Sequence, residues 1–166
     1  MLRITLFACA CCALMASNFV FGRGGNVDDP KAAISRSLDA FHKAAADADF
    51  DAYFARFAPD AVFLGTDATE RWTLEEFKTY CKPHFDKGRG WSYTLVEGSR
   101  NITVAESKTV AWFDELLDNA KYGRCRGSGV LRKIGDDWRI AQYNLALMVP
   151  NDAAKDVVAL IRAQEP

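Results

Sequence analysis

Between Pro30 and Asp47 the apolar residues Ile34, Leu38, Phe41 and Ala45 recur every three or four positions, the spacing that lines one side of a helix. Asp29 and Pro30 mark its start, an acidic cap followed by proline at the first helical position, where the missing amide is harmless. Phe50, Tyr53, Phe54 and Phe57 predict a second, shorter helix stopped by Pro59, and Ala61 to Leu64 predict a short strand. Gly65 to Glu70 reads as a loop. Thr73 and Glu76 have the spacing of a capping box and open a third helix through Leu74, Phe77 and Tyr80, with Trp72 and Phe77 placed as its hydrophobic staple.

From Trp91 onward the pattern changes to aromatic and branched residues in runs: Trp91 to Glu97, Asn101 to Ala105, Val110 to Asp118, Tyr122 to Ile134 and Trp138 to Val149. The first two are read either as separate strands or as one bent strand. Gly135, Asp136 and Asp137 form a short polar connection, so the last two runs pair as an antiparallel hairpin. Asn151 or Asp152 is the expected cap of a final helix bearing Ala154, Val157, Val158 and Ile161. Helices first and strands afterwards predict an α+β fold, with helices gathered on one face of a curved sheet.

The 166 residues carry a net charge of −1 and 49% of them are apolar, enough for one globular core and without a basic stripe for nucleic acid. Arg3 followed by the apolar run Ile4 to Ala16 reads as a signal peptide over residues 1–22, or, extended by Phe19, Val20 and Phe21, as a marginal uncleaved anchor, ahead of a linker at 23–29 and a domain at 30–166. The expected location is therefore periplasmic or secreted, with no membrane attachment after cleavage. Cys9, Cys11 and Cys12 fall within that leader as small apolar residues. Cys81 and Cys125 remain, either as free thiols or as a single disulfide.

Several side chains are candidates for chemistry. Asp67, Glu70 and Arg71 stand between the first strand and the third helix, where a carboxylate either serves as a base at a pocket mouth or closes a turn with its own backbone. Trp72 is either a staple or a wall for a ligand. Asp114 and Glu115 are adjacent in one strand, so alternation sends one to each face; if Phe113 faces inward, Glu115 does too. Arg124, Arg126 and Ser128 alternate on one face of the next strand, with Gln142 and Asn144 sharing a face with Trp138 and Ile140 in the last. A concave-face arginine calls for an anion, either Asp114 or Glu115 or a ligand carboxylate. His42 is expected at the rim of the first helix, and His84, at the end of the third, either against its last carbonyls or as an acid–base group near the pocket mouth. Two histidines and no paired cysteines predict no metal site, and no phosphate-cradling or nucleophile-elbow motif appears, so no cofactor is expected.

Phe57-Ala58-Pro59-Asp60-Ala61-Val62-Phe63, Gly65-Thr66-Asp67, Trp112-Phe113, Arg126 to Lys133 and Trp138-Arg139-Ile140-Ala141-Gln142-Tyr143 together give the chain, from Pro30 to about Val149, a texture that resembles the SnoaL-like branch of the nuclear transport factor 2-like superfamily. The resemblance implies a cone-shaped α+β barrel, three N-terminal helices packed on a curved antiparallel sheet, also described as cystatin-like. It implies an interior pocket for a small organic molecule, with Glu70, Trp72, Phe113, Arg126, Ser128, Gln142 and Asn144 as ligand contacts. It also implies two further readings. One is a ketosteroid isomerase-like acid–base enzyme (isomerase, cyclase or dehydratase), using Asp67, Asp114 or Glu115 as base. The other is a dimerisation module, a homodimer formed through the sheet face.

Overall fold

Asp29 accepts a hydrogen bond from the Lys31 amide and starts α1 (Pro30–Ala46), whose buried side carries Ile34, Leu38, Phe41 and Ala45 as the spacing predicts. The computed structural model describes residues 29–164. The expected signal peptide, and all of the linker but Asp29, lie outside the described residues. α2 is shorter than its apolar pattern suggests, Phe50–Phe54, because Phe57 belongs to the sheet. The Ile140 amide donates to the Arg56 carbonyl at 2.8 Å, and this pairing draws the chain into β1 (Phe57–Leu64) before Pro59 is reached. Pro59 has no amide to give a ladder, and it falls where the β1 pairing shifts register, between Phe57 and Val62.

β2 (Arg71–Thr73) leads directly into α3 (Leu74–Phe85), whose capping box between Thr73 and Glu76 is formed and whose staple is visible as the stacked rings of Trp72 and Phe77, 5.6 Å apart. β3 (Thr94–Leu95) and β4 (Asn101–Val104) both pair antiparallel with β5 (Val110–Asn119) along the same edge. The two are thus successive stretches of one bent path, broken by a turn at Gly98, whose φ of 72° suits glycine. β6 (Gly123–Ile134) and β7 (Asp137–Leu147) form the predicted hairpin.

The sheet runs β2-β1-β7-β6-β5-β3, with β4 also on β5. One of its pairings, β1 with β7, is parallel, so the sheet is mixed where a wholly antiparallel one was expected. α1, α2 and α3 cover its inner face, and the core between them is strongly aromatic: Phe41, Tyr53, Phe57, Phe77 and Phe85 are all nearly or fully buried. Burying each such side chain contributes about 1.5–3 kcal/mol. Cys81 and Cys125 lie in this core as free thiols.

The last helix, α4 (Ala154–Arg162), follows a 3₁₀ turn at Asn151–Ala153 and has no buried residue. Neither Asn151 nor Asp152 caps it; Ala153 occupies the cap position, and no side chain bonds there. None of the described helices is long and apolar enough to cross a membrane.

Candidate functional site

In β5 the side chains of Ala111, Phe113, Glu115 and Leu117 point into the core, while Trp112 and Asp114 point out. Glu115 is fully buried, and a bare carboxylate there would be costly. Both of its oxygens have partners. Oε1 is 2.6 Å from His42 Nε2, and Oε2 accepts from Arg100 Nε at 2.7 Å. Arg100 then donates through Nη1 to the Ser35 carbonyl at 3.0 Å, to Ser35 Oγ at 2.8 Å and to Asp39 Oδ1 at 2.7 Å. Burial works against the guanidinium charge, but Glu115 and Asp39 outweigh it and raise the Arg100 pKa. The break between β3 and β4 delivers this arginine to the α1 side of the sheet.

With Oε2 accepting from Arg100, Oε1 is placed to accept a ring N–H from His42 Nε2, which leaves Nδ1 as the ring nitrogen not engaged by Glu115. Across the hairpin from Glu115 stands Gly127. A Cβ on Gly127 would overlap the Tyr143 hydroxyl and lie 3.1 Å from Glu115 Oε1, so the bare glycine is what lets that phenol approach the carboxylate. Burial first, and the Glu115 charge second, hold the Tyr143 pKa well above the ordinary tyrosine value. It stays a hydroxyl donor.

Two spaces with shared walls lie on this side of the sheet, and the smaller of them touches the cluster. The larger is a cleft of about 450 Å³ whose lining includes Phe63, Trp72, Phe77 and Tyr80. Their rings form a near-parallel ladder: Phe63 to Phe77 at 3.9 Å, Phe77 to Trp72 at 5.6 Å and Trp72 to Tyr80 at 4.7 Å. Phe63 also stacks on Tyr143 at 5.6 Å, carrying the ladder inward. Trp91, Tyr93 and Tyr122 line the same cleft, along with Glu70 and Lys121. The smaller space, about 20 Å³, is lined by His42, Tyr53 and Tyr143 and shares Phe63, Trp91, Tyr93 and Leu145 with the cleft. Burial raises the Tyr53 pKa well above normal, and burial with neighbouring groups pushes Tyr93 up to about 12.

Of the side chains singled out in the sequence, Glu115 joins the buried cluster, and Glu70 and Trp72 line the cleft. The Glu70 carboxylate lies over Gly65, where a Cβ would overlap it, and accepts the Asp67 amide at 3.1 Å. Asp67 is exposed and closes a turn, accepting from the Thr69 amide at 2.8 Å and its hydroxyl at 2.6 Å; these bonds lower its pKa. Phe113 is buried beside Tyr143 but borders neither space. Asp114 lies on the outer face, bonded to Asn101 Nδ2 at 3.2 Å.

Arg126, Ser128, Gln142 and Asn144 also point outward, away from Glu115, and this corrects the concave face expected for them. For Arg126 and Ser128 the reason is alternation, since Cys125, Gly127 and Leu131 take the inner side. For Gln142 and Asn144 it is an extra residue: Val130 pairs with Gln142 but Leu131 with Ile140, so Ala141 forms a bulge that reverses the alternation. Trp138 and Ile140 therefore face inward together with Tyr143 and Leu145. The arginine partner of Glu115 is Arg100, not Arg126. His42 lies inside rather than at the rim, and its signal was its place on the ridge of Ile34 and Leu38, each four residues from the next. Tyr143 was hidden by the bulge, and Arg100 by the irregular turn before it.

Solved structures resemble this architecture at low identity. A protein of unknown function with a cystatin-like fold from Nostoc punctiforme superposes with a TM-score of 0.57 at 19% identity, over 71% of this chain and 90% of its own. A nuclear transport factor 2-like protein of unknown function from Pseudomonas putida gives 0.59 at 13%, over 75% and 92%. A member of the same fold family from Streptomyces avermitilis, provisionally named a dehydratase, gives 0.61 at 10%, over 73% and 97%. No curated protein matches the chain by sequence. The model of the SnoaL-like domain matches residues 34–150, well over half the chain and the span from the second turn of α1 through β7, and the protein belongs to that family.

Proposed function

We propose that the cleft binds a small, flat, largely apolar organic molecule and that His42, held by Glu115, moves a proton on it. The ladder of Phe63, Phe77, Trp72 and Tyr80 supports the first half, since parallel ring faces favour a planar partner. The second half is carried by one observation, the 2.6 Å contact between a fully buried Glu115 and a histidine bordering the small chamber that shares Phe63, Trp91, Tyr93 and Leu145 with the cleft. A carboxylate that orients an imidazole and offsets the charge it gains is a recurrent acid–base arrangement. Tyr143, which borders the small chamber together with His42, stands by as a neutral donor there. The protein acts outside the cytoplasm, a reading supported by Arg3 and the apolar run Ile4 to Ala16.

Native mass spectrometry of the purified mature protein tests binding and leader removal together, with 2-naphthol as a planar probe titrated by NMR. The expected result is a copurifying small molecule or 2-naphthol-induced shifts in the Trp72 and Trp91 indoles, weakened at least about tenfold in Trp72→Ala. If a copurifying molecule is turned over, His42→Gln leaves it bound and slows turnover by roughly 10²–10⁴-fold. A protein that neither carries a small molecule nor responds to 2-naphthol overturns the reading.

A second reading concerns assembly, favoured by the uncovered outer sheet face. We propose that two copies pair through it. Trp112, half exposed, lies beside Val130, Gln142 and Val62 in one cross-strand row, with none of the described helices over them.

A further inference from the structure

We infer that the small inner chamber holds one water molecule, bonded by the Tyr53 hydroxyl, and that this water stands between His42 and whatever occupies the cleft. The chamber measures about 20 Å³. That exceeds the roughly 10–15 Å³ a single water needs. Its wall is polar enough to hold a water, because His42, Tyr53, Tyr93 and Tyr143 all border it.

Tyr53 carries the argument. The residue is completely buried, and among the described residues its hydroxyl makes no hydrogen bond of ordinary length; the Trp91 indole N–H that acts on it can only donate, so the phenolic hydrogen has no acceptor. A buried hydroxyl without a partner is rare in a folded protein, and an ordered water is the usual remedy. Burial keeps this phenol protonated, so a hydrogen remains to be placed. The chamber it lines is the space in which that hydrogen bond can be made.

The position of the chamber gives the water a role. His42 and Tyr143 border the chamber but not the cleft, while Phe63, Trp91, Tyr93 and Leu145 border both. A molecule stacked on the aromatic ladder therefore does not touch the imidazole directly. A proton passing from it to His42 crosses the water: the water gives one proton to the unprotonated ring nitrogen and takes one from the molecule, and is unchanged at the end. This relay rests on the acid–base reading of His42; the water site itself does not.

Water-selective NOE and ROE spectroscopy on the folded full-length mature protein tests it. Cross-peaks from a long-lived water to the Tyr53 and His42 ring protons are expected in the wild type, falling at least twofold in a folded Tyr53→Phe variant. Their absence in the wild type, or their persistence unchanged in Tyr53→Phe, overturns the water site. The relay is read separately, by adding 2-naphthol and following the His42 ring resonances. A response in wild type that shrinks in Tyr53→Phe supports it. A long-lived water together with a His42 ring that ignores 2-naphthol overturns the relay and the acid–base reading while the water site stands.

Discussion

At the scale of single residues, Glu115 and its partners show how one buried charge dictates its surroundings. Its carboxylate is tolerable only because His42 and Arg100 each take an oxygen, and because Gly127 opposite adds no side chain. Gly127→Ala is therefore expected to destabilise the fold by roughly 1–3 kcal/mol, the range for forcing an extra methyl into a filled core. Urea unfolding measures this. Tyr143→Phe added to the same chain should recover part of the loss, since the overlapping hydroxyl is gone; a strictly additive double mutant would mean the clash is not the cause. Glu115 was legible in the sequence as one of two adjacent acids, and the strand period allowed just two outcomes. Which acid turned inward depended on where β5 packed, which no local pattern contains.

Elements differ in how far their own residues account for them. α1 and α3 are built from signals close together in the chain: a cap, a proline at the first position, a capping box, a staple. α2 and β7 are not. Phe57 fits a helical stripe after Phe54, yet it pairs beside Ile140, because the sheet offers it both burial and a ladder. In β7 the bulge at Ala141 reverses which residues face inward, and single-strand alternation therefore misplaces Gln142 and Asn144. α4 is the opposite case, a helix with an amphipathic pattern and nothing buried: Leu160 and Ile161 are both largely exposed. A chain ending at Pro150 is accordingly expected to keep the unfolding midpoint of the longer one, with stability changed by no more than about 0.5 kcal/mol. A larger loss on urea titration would show that α4 packs on the cone.

For the whole molecule, the inner and outer faces of one sheet differ in what they carry. The inner face holds the core, the Glu115 cluster and the two spaces beside it. The outer face, with Trp112, Asp114, Arg126, Ser128 and Gln142, is open to solvent across its centre, and an exposed patch with a large aromatic at its middle suits contact with another protein surface. Light scattering after size exclusion is expected to report a two-copy mass for the wild type and a one-copy mass for Trp112→Glu, because a charge at that position would be buried without a partner in the pair. A wild-type mass of a single copy at micromolar concentration would sink the proposed dimer.

Composition, period and capping residues by themselves determined the order of the helices and the longer strands, though not the short β2 at Arg71–Thr73, and with it the α+β class and the family texture from Pro30 to about Val149. These are properties of short stretches, in which one turn or one strand decides how a residue behaves. Only the tertiary structure decided that β1 lies parallel to β7, that Ala141 bulges, that Arg100 and not Arg126 meets Glu115, and that His42 looks inward. Each of these joins residues far apart in the chain. The free energy that settles them is burial and hydrogen bonding between elements, which exists only once the helices are seated on the sheet.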